Sequence, residues 1–216
     1  MRGMTINVSL FFLLLSIVGC QSAYYSAMEK VGKHKRDILI ERIESATGSQ
    51  KEAKKEFKNA LDQFSALVNF DGGELQQQYE ISNDRYQISK VAADDVTARI
   101  NAIEDVAEAL FNEWHDELDQ FTNQSLKRQS QSRYKETQGR YASVIKSMRN
   151  AERRMQPILN ALKDNMLYLK HNLNARAIGE LKTEYKLIKQ DVERLINDMN
   201  SSINKSQTFI KSLKAT

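Results

Sequence analysis

Apolar side chains recur along most of this chain at alternating intervals of three and four residues. Near the C-terminus they fall at Ile178, Leu181, Tyr185, Ile188, Val192, Leu195, Met199, Ile203, Ile210 and Leu213, with Ser206 filling one step. The same rhythm runs through Leu39, Ile43, Ala46, Ala53, Phe57, Ala60, Phe64 and Leu67. It returns at Val96, Ile100, Ile103, Ala107, Leu110, Trp114, Leu118 and Phe121, and again at Tyr141, Ile145, Met148, Met155, Leu159, Leu162, Met166 and Leu169. A 3-4 rhythm keeps one apolar seam facing a partner helix. No stretch alternates with period two, so no sheet is expected. The pattern predicts an all-α fold of about four long helices, over residues 24–69, 74–121, 125–171 and 175–213. At 1.5 Å per residue each spans about 55–70 Å. An elongated antiparallel bundle, or a set of coiled-coil hairpins, buries such seams.

The breaks between helices are written in turn residues. Asn69-Phe70-Asp71-Gly72-Gly73 stops one helix and starts the next, because glycine adopts the left-handed conformation and Asp and Asn cap. Thr122-Asn123-Gln124-Ser125 is a run of turn and N-cap residues. His171-Asn172-Leu173-Asn174 is weaker: a turn, or a helix that runs through. Pro157 lies outside the seam and removes one helical amide, so a bend is expected there rather than an end.

Charge refines the pairing. Residues 94–119 hold nine acids and one base, Arg99; residues 127–154 hold nine bases and two acids, Glu136 and Glu152. The blocks flank Asn123 at nearly equal distances, so a hairpin at that turn lays acid on base. The competing reading is a basic block awaiting anionic lipid or nucleic acid. The whole chain carries a formal charge of only +4, which is weak support for a nucleic-acid partner, and none is expected.

The N-terminus differs from the rest. Val8 to Val18 is an apolar run preceded by Arg2 and followed by Gly19 and Cys20, the single cysteine of 216 residues. A positive n-region, an apolar stretch of about 7–15 residues and a small residue at the cut site make a secretory signal. The run is too short for a transmembrane helix, which needs about 20 residues. Ile17-Val18-Gly19-Cys20 looks like a lipobox, with cleavage between Gly19 and Cys20 and lipid on the Cys20 sulfur. Residues 1–19 are then a removed signal peptide and residues 20–216 a single helical domain. Palmitate-type acylation of the new amine adds further chains, and two or more chains make a stable anchor. The first helix starts a few residues later, so one end of the rod is expected against the membrane.

Candidate chemistry is sparse. His34, His115 and His171 lack the Glu-x-x-His spacing of helical di-metal sites, and no His-Glu-x-x-His motif or phosphate loop occurs. Asp71-Gly72-Gly73-Glu74 is too short for a calcium loop. No catalytic residue, metal or cofactor is expected, and the chain is not expected to be an enzyme. Lys30, Lys33, Lys35 and Arg36 lie 10–16 residues after Cys20, close enough to touch anionic head groups. The competing and favoured reading is a solvated face of the first helix, beside Met28, Val31 and Ile38.

Cys20-Gln-Ser-Ala-Tyr-Tyr-Ser-Ala-Met-Glu-Lys-Val-Gly-Lys-His-Lys-Arg-Asp-Ile-Leu, Val68-Asn-Phe-Asp-Gly-Gly, Val106-Ala-Glu-Ala-Leu-Phe-Asn-Glu-Trp and Tyr168-Leu-Lys-His-Asn-Leu-Asn-Ala-Arg-Ala-Ile178 together carry a family likeness. The chain resembles an uncharacterised family of proteobacterial lipoproteins, known only as a domain of unknown function. The resemblance covers the mature chain and implies an exported, helical, lipid-anchored protein with no activity to carry over. By the sorting rule of enteric lipoproteins, Gln21 implies the periplasmic face of the outer membrane. The expected function is a non-enzymatic envelope scaffold that contacts an envelope protein, with a homo-oligomer open. The alternative is a periplasmic protein binding lipid or another apolar ligand between its helices.

Overall fold

The computed structural model describes residues 24–215 except 26, 71, 73 and 173. Cys20 and the signal segment lie outside the described residues. Four long helices dominate: α1 (Lys35–Val68), α2 (Leu75–Leu118), α3 (Gln124–His171) and α4 (Ala175–Lys214). Each packs against its neighbours in sequence, and α1 also packs against α4, so the four form a closed square with α1 diagonal to α3. The order of cross-helix contacts is antiparallel throughout. Lys35 meets Glu113, Ser49 meets Asp95 and Gln63 meets Gln78. On the other side Glu44 meets Lys214 and Gln50 meets Ser202. We call the end with the 119–123 connection and the C-terminus the base, and the opposite end the head.

The expected seams are the core. Leu39, Ile43, Ala46, Ala53, Phe57 and Leu67 of α1 are fully buried, as are Val96, Ile100 and Ile103 of α2, Met148 and Leu169 of α3, and Val192, Leu195 and Met199 of α4. Heptad spacing places them on one stripe per helix, and apolar burial supplies the driving force. The α2 seam also continues toward the head through Leu75, Tyr79, Ser82, Tyr86, Ser89 and Ala93. Ser82 and Ser89 are buried and the tyrosines half-buried. The Ser89 hydroxyl donates to the Glu56 carbonyl oxygen at 3.1 Å, so α2 sits close against α1 there.

The helix ends have identifiable chemistry. Asn123 Oδ1 accepts from Ser125 N at 2.9 Å and Leu126 N at 3.2 Å; Asn174 Oδ1 accepts from Ala177 N at 3.0 Å. These satisfy otherwise unpaired first-turn amides. Asn69 and Asn172 donate side-chain amides to the carbonyls of Ser65 and Tyr168 at the ends of α1 and α3. The third break is therefore a turn. At Pro157, α3 runs through without ending.

One boundary differs from the sequence expectation. The first helix does not run unbroken from residue 24. Residues 24–25 and 27–30 are helical, then Val31 and Gly32 turn, with Gly32 at φ 82°. That left-handed conformation suits glycine. His34 then caps α1, its backbone N–H donating to Asp37 at 3.3 Å.

Candidate functional site

The N-terminal segment packs on the flank of the bundle. Tyr25 is buried, and its hydroxyl accepts from Arg42 at 3.1 Å while the same guanidinium reaches the Ala102 carbonyl. Four residues on, Glu29 pairs with Lys35, which also donates to Glu113 at 2.8 Å. Arg42 lies two helical turns above Lys35. The chain therefore descends the α1–α2 groove from Tyr25 to Glu29 before turning at Gly32 and climbing as α1. It enters from the side of the rod rather than from its tip.

This geometry sorts the four basic residues singled out in the sequence. Lys35 is largely buried, its side chain 12% exposed between two carboxylates. Burial opposes its charge, but the hydrogen bonds to Glu113 and Glu29 prevail and raise its pKa. Glu29 is held below the usual carboxylate range, chiefly by the hydrogen bond from Lys35. Lys33 pairs with Glu41. Lys30 and Arg36 are exposed and have no ion pair among the described residues. The surface there is mixed, because Asp37 and Glu41 stand among the cations.

The largest charge asymmetry lies elsewhere. From residue 101 to 119, α2 and the turn after it carry seven carboxylates and no Lys or Arg; from 124 to 151, α3 carries seven cations and one carboxylate, Glu136. The two helices pack side by side, as the charge pattern predicts. Pairing between them is sparse. Arg149 reaches Glu104 and donates to Asn101 at 2.7 Å, and Lys127 reaches Asp119 at 3.1 Å. Arg154 turns the other way, to Asp198 of α4. The Glu104 hydrogen bond raises the Arg149 pKa against the opposing effect of burial, with Glu152 reinforcing it.

The remaining charge faces outward. Arg128, Lys135, Lys146 and Arg153 are all exposed, and none has a carboxylate within 4 Å among the described residues. Their spacings of seven, eleven and seven keep them on one face of α3. Asp105, Glu108 and Asp116 are exposed on α2 and likewise unpaired among the described residues. The sequence totals concealed this sorting because they did not ask which face each charge occupies.

Beside the basic face runs an open groove between α3 and α4. Val144 and Phe209 form its floor, and Arg140 and Lys205 stand at its rim. Among the described residues no group of three or more His, Cys, Asp or Glu side chains is placed to hold a metal, and no helix is long and apolar enough to cross a membrane. His34 caps α1, while the His115 ring lies 6.2 Å from that of Tyr134. Next to that cluster, burial pushes the Tyr141 phenol up to about 12, with Glu104 adding to the effect.

No curated protein matches this chain. A family model matches residues 24–213, from the flank segment through to the last turn of α4. The chain belongs to the family described as "Protein of unknown function (DUF2959)".

Proposed function

We propose that this chain is a lipid-anchored, non-enzymatic protein of the bacterial envelope that works by contact with another macromolecule. The observation that carries the anchor is the apolar run Val8 to Val18 closed by Gly19 and the single cysteine, Cys20. The family match begins at residue 24, directly after that segment. Gln21 after the cysteine favours the periplasmic face of the outer membrane. Contact is favoured over catalysis by the disposition of charge. The conspicuous polar groups are long, exposed, single-sign stripes on rigid helices rather than convergent groups in a pocket.

The test is Cys20→Ser in cells supplied with a clickable fatty acid. The native protein takes up the label and sediments with membranes; the variant loses both. A native protein without label, or a variant still held in the membrane fraction, contradicts the anchor. One observation favours a second reading, a protein that binds an apolar ligand: the Val144–Phe209 floor of the α3–α4 groove. Stoichiometric native lipid co-purifying with the protein, and lost on Phe209→Glu, would select it.

A further inference from the structure

We propose that the outer face of α3 docks the outer face of α2 of a second copy of this chain, both copies standing the same way up. The basic side is Arg128, Lys135, Lys146 and Arg153; the acidic side is Asp105, Glu108 and Asp116. Neither set has an ion-pair partner within its own chain among the described residues.

Height along the rod makes a second copy the fitting partner. Lys127 meets Asp119 and Arg149 meets Glu104 within one molecule. Residues 127–149 of α3 therefore lie level with residues 119–104 of α2. Lys135 and Lys146 stand at the same heights as Asp116 and Asp105. Two copies side by side and parallel bring the unpaired cations opposite the unpaired carboxylates. An inverted copy would displace the acidic stripe toward the other molecule's head. The contact is heterologous, joining α3 of one copy to α2 of the next. Each exposed pair contributes little by itself, and the matched stripes supply steering and selectivity.

An anionic membrane fits the basic face less well. The common orientation of neighbours rests on the anchor proposed above, and that anchor opposes this alternative. The chain enters on the α1–α2 flank, and the α3 outer face points away from its diagonal partner α1. Four residue steps lead from Cys20 to Tyr24 and reach at most about 14 Å. The bundle is about 20 Å across two helices. A rod lying on its α3 face would hold its anchor beyond that reach.

The experiment uses the full chain in a non-ionic detergent, so that association is read whether or not Cys20 is acylated. Failure of Cys20 labelling and failure of association are then separate results. At 0.1 M salt the chain is expected to self-associate. At 1 M salt, where the screening length falls from about 10 Å to about 3 Å, it should become monomeric. Lys135→Glu with Lys146→Glu, and separately Asp105→Lys with Glu108→Lys, should each weaken self-association at least tenfold. Mixed together, the two variants should associate again, since each keeps the native face the other lacks and their reversed faces also carry opposite charge. Should a reversal disturb folding, the Gln versions of the same pairs must show the same loss with an unchanged unfolding midpoint. A chain monomeric at low salt, or variants that associate like the native chain, overturns the proposal. So does a basic-face variant that loses only its binding to anionic vesicles.

Discussion

Helices α2 and α3 are neighbours in sequence, share a seam and carry opposite charge, yet they use that charge differently from the way its totals suggest. Inward, both are plain heptad helices: Ile100 and Ile103 of α2 and Met148 of α3 are fully buried. Between them, two ion pairs span the hairpin among the described residues, at Arg149–Glu104 and Lys127–Asp119. Outward, Arg128, Lys135, Lys146 and Arg153 of α3 and Asp105, Glu108 and Asp116 of α2 stand without an ion pair among the described residues. The comparison teaches that opposite charge on adjacent helices accompanies the hairpin without binding it along its length. Apolar burial holds the pair together, and the surplus charge is free for another molecule.

That division is open to direct attack. The seam should dominate. Ile103→Ala is expected to cost about 2–5 kcal/mol in denaturant unfolding, from lost burial and the cavity left behind. Arg149→Ala should cost less, about 1–2 kcal/mol, because its pairing with Glu104 and Glu152 is a quarter exposed and screened. Lys127→Gln should change stability by about 0.5 kcal/mol or less, since Asp119 is 82% exposed. A larger loss for Lys127→Gln than for Ile103→Ala would invert the comparison.

Tyr141, on the shared side of the hairpin, gives a subtler readout. Its pKa rises from 10.0 to about 12, so the folded chain keeps a phenol proton that the unfolded chain releases. The associated stability is fully present below pH 10 and is lost as pH rises toward about 12. Unfolding midpoints measured across that window should fall more steeply for the native chain than for Tyr141→Phe. Equal slopes would show that the phenol is not protected by the seam.

Much of the fold was legible because most of the core is apolar and strictly periodic. Even Ser206 fell on the seam and is buried. The head half of α2 was harder to read: its seam steps are Tyr79, Ser82, Tyr86 and Ser89, which keep the 3-4 spacing without an apolar signature. Their burial follows from close approach to α1, where Ser89 bonds to a backbone carbonyl. The break at Val31–Gly32 was missed because a single glycine in a basic stretch does not reveal that the chain reverses there. The partial burial of Lys35 follows from that reversal, since it brings Glu29 back onto α1. The outward stripes were available as spacings of seven and eleven, hidden by counting charge along the sequence instead of around each helix.

The most direct test of the central claim, that the surplus charge on α3 meets the surplus charge on α2 of another copy, is a photo-reactive residue at position 146 in living cells. An adduct of two chains is expected, its cross-link mapping to the α2 peptide containing Asp105 and Asp116. Cross-links confined to lipid or to a different protein, or no cross-link at all, would contradict it.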